Sequence, residues 1–134
     1  MASSRKVKGR KPRPKGFFAG KKILVTGGAG FLGQSVVRLL LENGVRPKDI
    51  FVPRSDQYDL RFQVSCAKVV TGQDIVIHLA ANAGGIGWNL AHPGCLFYDN
   101  IAMGALLMEE AGLAFPGEGR KILAAKGFSA GVRL

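Results

Sequence analysis

Apolar residues in this chain form short unbroken runs that alternate with longer segments in which they recur every three or four positions. Such runs lie within 22–26, 49–52 and 74–79, and each predicts a buried strand of a parallel sheet. The spaced segments predict helices over 31–43, over 59–72 and from 93 onward. The alternation of strands and helices predicts an α/β fold.

Each predicted helix carries an apolar face that should pack on the sheet. The faces are Leu32, Val36, Leu39 and Leu40 in the first helix; Phe62, Cys66, Val69 and Val70 in the second; and Phe97, Ile101, Ala105 and Met108 in the third. Gly44 is placed to end the first helix in the left-handed conformation, and Gly72 closes the second. Residues 120–125 could form a fourth strand.

A glycine-rich turn joins the first predicted strand to the first helix. Gly27, Gly30 and Gly33 follow the strand at a spacing of three. The first allows a tight reversal, the second leaves room for backbone to approach a pyrophosphate, and the third lets the helix pack closely. The helix start at Phe31 and Leu32 offers unpaired N–H groups and a positive dipole end to phosphates. The turn therefore predicts a dinucleotide site, with a purely structural turn as the alternative.

The residues after the second predicted strand indicate which dinucleotide the site prefers. NAD sites place an Asp or Glu here for the ribose 2′-hydroxyl, whereas this chain has Pro53-Arg54-Ser55. Arg54 and Ser55 suit a 2′-phosphate through charge and a hydroxyl donor. NADP(H) is therefore favoured over NAD(H). In the alternative interpretation Arg54 is a solvated loop residue and Asp56 serves NAD.

Two further positions complete the predicted cofactor site. Asp59, followed by Leu60, could accept a hydrogen bond from the adenine amino group or simply cap the second helix. Ala80 and Ala81 follow the third strand, where small side chains let a flat cofactor lie close. His78, inside that strand, is interpreted as a hydrogen-bonded core residue and not as a ligand or base.

A second glycine-rich loop, residues 82–93, lies beyond the third strand, where open α/β sheets place their ligands. Asn100 follows in the third helix, one position off its predicted inner face. Its amide could hold a turn or a water beside the cofactor, or could simply lie at the surface.

The formal charge of +10 is concentrated at the start of the chain. Residues 1–22 hold nine Lys or Arg and no Asp or Glu, whereas residues 23–134 hold ten basic and nine acidic residues. Residues 1–16 cannot bury enough apolar surface to fold, so we predict a disordered basic tail. It is interpreted as a solvated extension, an arm that contacts nucleic acid, or an organelle transit peptide. Because the rest is almost neutral, we do not expect the folded part to bind nucleic acid.

The length and the cysteines narrow the class of protein further. At 134 residues the chain holds one folded domain at most. No segment reaches transmembrane length, and we expect a cytoplasmic protein without membrane contact. Cys66 and Cys95 lack metal-site spacing and lie in apolar surroundings, so we expect two reduced core thiols and no metal.

Several stretches together resemble the extended short-chain dehydrogenase/reductase family, which includes the NAD-dependent epimerases and dehydratases of nucleotide sugars. The resemblance is carried by residues 26–33 (TGGAGFLG), Asp59-Leu60 and residues 78–81 (HLAA). The run Gly84-Gly85-Ile86, with Asn89, Pro93 and Asn100 after it, is more specifically similar to the GDP-L-fucose synthase subfamily, whose members are NADP-dependent epimerase-reductases. The resemblance covers residues 22–111.

This resemblance implies the N-terminal, cofactor-binding half of a doubly wound Rossmann fold. It also implies that Gly27, Gly30 and Gly33 hold the pyrophosphate, that Arg54 holds the 2′-phosphate and that Ala80 lines the cofactor pocket. A GDP-sugar is the substrate class by analogy, and a homo-oligomer is one expected form of assembly.

The family's catalytic pair, a Tyr followed four residues later by a Lys, is absent from this sequence. Tyr58 and Tyr98 are followed at that distance by Phe62 and Ala102. We therefore predict no catalytic residues and an NADP(H)-binding fragment that is inactive alone. The alternatives are a non-catalytic dinucleotide-binding or subunit-interaction module, and a nucleic-acid-associated protein that acts through its basic tail.

The predicted organisation is a basic tail at 1–16, a dinucleotide-binding domain at 22–111 and a poorly matched segment at 112–134. In the last segment Ser129 lies near where a catalytic Ser or Thr is expected, but its neighbours do not fit the motif. We expect residues from Gly112 onward to lie outside the family register, as in a truncated or frame-shifted reading frame.

Overall fold

The computed structural model describes residues 16–114 and 121–124, and it shows a four-stranded parallel sheet. The strands are β1 (Ile23–Thr26), β2 (Ile50–Phe51), β3 (Ile75–His78) and β4 (Lys121–Ala124), in the spatial order β2-β1-β3-β4. Each neighbouring pair runs parallel. The predicted α/β class and partial Rossmann arrangement are confirmed.

The helices of the described residues are α1 (Phe31–Glu42), α2 (Gln63–Val70), α3 (Ile86–Ala91) and α4 (Pro93–Ala114). Short 3-10 turns at Gly16–Phe18 and Pro47–Asp49 precede β1 and β2. Helix α3 lies inside 82–93, where the sequence predicts only a loop, so that prediction is wrong for residues 86–91. Asn89 joins this helix to the loop before it, because its Oδ1 accepts a hydrogen bond from the Gly84 N–H at 3.0 Å.

Strands β1 and β3 contribute to two core clusters, one on each face of the sheet, because successive residues of a strand point to opposite sides and helices cover both. Leu24 of β1 packs with Val76 of β3 on the side of α2 and α4. Ile23, Val25 and Ile75 pack on the other side, against α1. Helices on both faces of a parallel sheet are typical of a doubly wound fold.

Helix α1 ends, as predicted, at a glycine in the left-handed region. Gly44 follows the C-cap residue Asn43 and has a φ of +85°. The Gly44 N–H donates to the Leu41 carbonyl and the Val45 N–H donates to the Leu40 carbonyl, each at 3.0 Å. These two bonds form a Schellman motif, so the predicted role of Gly44 is confirmed.

The predicted apolar face of α1 is correct at two of its four positions. Leu40 is buried and Val36 packs against the core. Leu32 and Leu39 are 40% and 52% exposed, and Val37 packs on the sheet instead. Residues 36–41 carry apolar side chains at every position but one, so the periodicity could not identify the inner face.

The predicted inner face of α4 is wrong. Phe97 is 72% exposed, and the buried residues of the helix are Gly104, Leu107, Glu110 and Ala111. Apolar residues occur all round this helix, so their spacing does not mark a single face. Gly104 brings the helix close to β3, since a Cβ there would lie 4.0 Å from Nε2 of His78.

Helix α2 buries Cys66, Val69 and Val70 as predicted, whereas Phe62 precedes the helix and is 62% exposed. The prediction of a core thiol is therefore right for Cys66 and wrong for Cys95, which is exposed at the start of α4. The first turns of α4 extend past the core, so their apolar surroundings in the sequence did not imply burial.

Two of the predicted segments lie largely outside the described residues. The basic tail 1–16 overlaps them only at Gly16, and Ser129 lies beyond them. Strand β4 lies within residues 120–125, the segment interpreted from the sequence as a fourth strand. Within 16–114 and 121–124, no helix combines the length and the apolar composition needed to cross a membrane.

Candidate functional site

A cleft of about 860 Å³ opens beyond the carboxyl ends of β1, β2 and β3. Thr26 ends β1, Pro53 follows β2 and Leu79 follows β3, and all three line the cleft. This is where open α/β sheets bind their ligands. The structure places all ten predicted cofactor-binding residues in its lining: Gly27, Gly30, Phe31, Leu32, Gly33, Arg54, Asp59, Leu60, Ala80 and Ala81.

The three glycines of the turn have different surroundings. Gly27 has a φ of +69°, in the left-handed region, and a Cβ there would lie 2.6 Å from the Ala80 nitrogen. A Cβ on Gly33 would overlap with the carbonyl oxygen of Gly27. A Cβ on Gly30 would meet that same oxygen at 3.3 Å and no other described atom within 4 Å. Backbone packing therefore requires Gly27 and Gly33, whereas Gly30 leaves free volume in the cleft.

The start of α1 faces the cleft without a side-chain cap. Gly30 is the N-cap residue, and no side chain bonds to the first turn. Gln34 fixes the preceding turn, because its Nε2 donates to the Ala29 carbonyl at 2.9 Å. The first N–H groups of a helix have no partner inside it. Since Phe31 and Leu32 line the cleft, this end can receive an anion.

Arg54 and Ser55 form the cleft wall that follows β2. The Arg54 carbonyl accepts hydrogen bonds from the N–H groups of Gln57 and Tyr58, at 3.1 and 2.9 Å, which fixes a turn. The Arg54 guanidinium is exposed and has no hydrogen-bond or ion-pair partner in the described part of the chain. Asp56, the alternative residue for NAD, is exposed and does not line the cleft.

Asp59 binds a neighbouring arginine and does not cap α2. Its Oδ1 accepts from the backbone N–H and from Nε of Arg61, each at 3.0 Å, and its Oδ2 accepts from Nη2 at 2.7 Å. The N-cap of α2 is Phe62, with no side-chain bond, so the capping alternative is wrong. The hydrogen bonds from the Arg61 side chain lower the pKa of the Asp59 carboxyl, which keeps it an ionised acceptor at neutral pH. Its role toward adenine stays a prediction.

Arg61 also pairs with a carboxylate of α4. Its Nη1 lies 3.4 Å from Oδ2 of Asp99. The same Asp99 oxygen accepts a hydrogen bond from Nδ2 of Asn82 at 2.8 Å. The residues after β2, the loop after β3 and α4 are thereby connected at one edge of the cleft.

Asn100 holds the loop that follows β3. Its Oδ1 accepts from the Asn82 N–H at 2.7 Å, and its Nδ2 donates to the Asn82 carbonyl at 2.9 Å. Both backbone groups of Asn82 are therefore paired. Of the interpretations given for Asn100, the one in which it holds a turn is confirmed.

The sequence did not identify Thr26, Tyr58, Arg61, Asp99 or Met103 as residues of the cleft, although all five line it. Arg61 could have been found, because an Asp followed two residues later by an Arg can form a local ion pair. Asp99 lies 38 residues after Arg61, and no local pattern connects them. Among the described residues, no group of His, Cys, Asp and Glu side chains could hold a metal ion.

The sequence pattern of the NAD dependent epimerase/dehydratase family matches residues 23–124. The match begins with β1 and ends with β4. It continues through residues 112–124, for which the sequence predicts a poor match to the family.

Two relatives and one solved structure show how much of the chain is shared. The GDP-L-fucose synthase of Azorhizobium caulinodans is 36% identical over 86 residues, which are 63% of this chain and 27% of the relative. GDP-mannose 3,5-epimerase 1 of Oryza sativa subsp. japonica is 29% identical over 102 residues, which are 67% of this chain and 27% of the relative. A crystal structure of a GDP-L-fucose synthetase from Naegleria fowleri bound to NADP has a TM-score of 0.58 at 27% identity, over 76% of this chain and 32% of that chain.

The chain thus spans 27% of the length of each of these two curated relatives. The parallel sheet, the glycine turn after β1 and the match over residues 23–124 confirm the resemblance found in the sequence. The chain belongs to the NAD dependent epimerase/dehydratase family.

Proposed function

We propose that the cleft binds a nicotinamide dinucleotide and prefers NADP(H) to NAD(H). The observation that carries this proposal is the uncapped start of α1 at Gly30, where free volume and unpaired N–H groups face the cleft. A pyrophosphate needs both, because its oxygens accept backbone hydrogen bonds only where no side chain intervenes. Gly27 and Gly33 maintain the close backbone packing that presents this surface.

The proposed preference for NADP(H) depends on which cation of the cleft is free. Arg61 is paired with two carboxylates, those of Asp59 and Asp99. Arg54 has no such partner among the described residues. An unpaired guanidinium beside the Ser55 hydroxyl can bind a phosphate through two parallel hydrogen bonds. We therefore assign the 2′-phosphate of NADP(H) to Arg54.

We further propose that the chain is the cofactor-binding part of a nucleotide-sugar epimerase or reductase that acts on GDP-sugars. Family membership and two relatives named for GDP-linked sugars support this. The dinucleotide, when bound, supplies hydride chemistry, and the residues of this chain bind and orient it. No Tyr of the sequence has a Lys four residues later, so we infer that the 134 residues alone catalyse no turnover.

A titration of the purified chain with NADPH and NADH, followed by nicotinamide fluorescence and by thermal shift, tests the proposal. Wild-type protein should bind NADPH more tightly than NADH. Arg54→Ala should weaken NADPH binding about tenfold or more, because it removes a charge-assisted phosphate contact. Binding of NADH should be almost unchanged in this variant.

Arg38→Ala is the matched control, since Arg38 is an exposed arginine of α1 that pairs with Glu42 and does not line the cleft. It should leave both affinities unchanged. Equal affinity of the wild type for the two cofactors would exclude the NADP(H) preference. The absence of any response at millimolar cofactor would exclude dinucleotide binding by this chain.

A further inference from the structure

The ion pair between Arg61 and Asp59 at the edge of the cleft is not explained by stability. The Arg61 side chain is 49% exposed, and that of Asp59 is 33% exposed. Exposed ion pairs contribute little to stability, because water already solvates both charges. Asp59, Arg61 and Asp99 all line the cleft, so a role in ligand binding explains this cluster better.

The geometry of the pair leaves one hydrogen-bond acceptor open on Asp59. An ionised carboxylate offers about four lone-pair positions. Nε and Nη2 of Arg61 occupy one on each oxygen, and the Arg61 backbone N–H occupies the second on Oδ1. Nε also lies 3.2 Å from Oδ2, but it is closer to Oδ1, at 3.0 Å. Within the described residues no other donor reaches Oδ2, so its outer lone pair is available to a ligand.

The orientation of this carboxylate is linked to two other segments of the cleft. Nη1 of the same guanidinium lies 3.4 Å from Asp99, whose side chain is only 13% exposed. Asp99 in turn accepts a hydrogen bond from Asn82. The planar guanidinium therefore serves Asp59 and Asp99 at once with donors in fixed directions. A lysine has a single nitrogen and cannot reproduce this arrangement.

We propose that Arg61 is a positioning residue for adenine recognition, which holds the Asp59 carboxylate so that its one open acceptor meets the adenine 6-amino group. This inference rests on the proposed function, since it needs a dinucleotide in the cleft. Adenine presents an amino donor at its 6-position, whereas hypoxanthine presents a carbonyl acceptor there. A carboxylate held in one orientation binds adenine more tightly than hypoxanthine. A carboxylate that rotates freely discriminates less between the two bases.

The test compares NADPH with its hypoxanthine analogue, reduced nicotinamide hypoxanthine dinucleotide phosphate, by nicotinamide fluorescence. The wild type should prefer NADPH about tenfold, the effect of one charge-assisted hydrogen bond. Arg61→Met and Arg61→Lys should both lose most of this preference by weakening NADPH and not the analogue. Loss of general stability would instead weaken both ligands equally. Arg38→Lys, on the exposed surface of α1, should keep the wild-type preference.

A second variant keeps the inference testable if the Arg61 variants do not fold. Asp99→Asn retains an acceptor for Asn82 but removes the charge that holds Nη1, so part of the adenine preference should be lost. An unchanged preference in a folded variant of either residue, or no preference in the wild type, would overturn the positioning role and leave the proposed function intact. A wild type that binds no NADPH would overturn both.

Discussion

The Thr26 hydroxyl lies 2.7 Å from Nδ1 of His78, at the point where β1 and β3 end side by side. The same hydroxyl accepts hydrogen bonds from the N–H groups of Leu79 and Ala80, at 3.2 and 3.3 Å. A hydroxyl has one proton and two lone pairs. Two N–H groups approach the hydroxyl oxygen, and the Leu79 N–H is shared with the Thr26 carbonyl, at 3.1 Å. We therefore assign the hydroxyl proton to the bond with Nδ1, and the proton of neutral His78 to Nε2. The expected hydrogen-bonded role of His78 in the strand is confirmed.

Replacement of Thr26 should show how much this hydroxyl contributes. Thr26→Val keeps the shape of the side chain but leaves Nδ1 of His78 without its donor. We expect the free energy of unfolding to fall by about 1–3 kcal/mol, the cost of a buried polar group that loses its partner. Urea unfolding followed by far-UV circular dichroism measures this change. Thr26→Ser, which retains the hydroxyl, should recover most of the loss; a loss as large as that of the valine variant would contradict the assignment.

The stability of the chain should decline as the pH falls below neutrality. Burial lowers the pKa of the His78 imidazole from its usual value. The unfolded chain therefore takes up a proton at a pH where the folded chain does not, and protonation favours unfolding. The contribution is complete above about pH 6.5 and is lost progressively as the pH falls below that value. Urea midpoints measured between about pH 7.5 and pH 5 should show this decline.

The variant that isolates this effect is His78→Gln, which cannot titrate. Its urea midpoint should depend much less on pH over the same range. His92→Gln is the control, because His92 stacks on Trp88 outside the core, with ring centroids 3.9 Å apart. It should keep the decline seen in the wild type. A decline of the same size in His78→Gln would assign the pH dependence to other groups.

Substitution of Gly33 should mainly lower stability, whereas substitution of Gly30 should mainly abolish NADPH binding. Gly33→Ala would place a Cβ against the Gly27 carbonyl, and we expect a loss of about 1–3 kcal/mol of stability or more from overpacking. A Cβ at Gly30 would lie 3.3 Å from the Gly27 carbonyl oxygen, a closer contact than is usual but much less severe than at Gly33, and the φ of −77° there suits any residue. Gly30→Val should therefore cost less stability than Gly33→Ala, about 1 kcal/mol. NADPH binding should nevertheless be lost in Gly30→Val, because the side chain fills the space at the start of α1. Thermal unfolding and NADPH fluorescence measure the two effects separately.

The strands and the glycine turn could be predicted because each is encoded locally. The residues of β1 are apolar from Ile23 to Val25, and a strand buried on both faces requires such an unbroken run. Gly27 directly follows β1 and has a backbone angle in the left-handed region, which glycine adopts far more readily than other residues. Ten residues placed around one cleft therefore followed from a few short patterns.

The parts that could not be predicted depend on contacts between distant segments. Helix α4 offers apolar residues on every side, and its packing against α2 and the sheet, which are distant in the chain, determines which side is buried. The Arg61–Asp99 pair joins residues 38 positions apart, so no local spacing reveals it. Asp59 was interpreted without its partner, which is why helix capping and adenine binding could not be separated in the sequence.

The two cysteines should differ strongly in their reaction with thiol reagents. Cys66 is buried, and its Sγ lies 3.2 Å from the Leu60 carbonyl, to which it donates a hydrogen bond. Burial also raises the pKa of this thiol to about 11, which lowers the fraction of reactive thiolate at neutral pH. Cys95 is exposed at the start of α4. One thiol should therefore react rapidly in the folded chain and the second only when the protein opens.

Mass spectrometry after brief alkylation with iodoacetamide can assign the fast site. We expect label on Cys95 alone in native buffer and on both residues in urea. Cys95→Ser should abolish the fast phase, and Cys66→Ser should remove only the slow one. Because the slow rate then reports opening of the core around α2, NADPH should reduce it through mass action if the cofactor binds only the folded chain. Rapid labelling of Cys66 in native buffer would contradict the packing of α2 against the sheet.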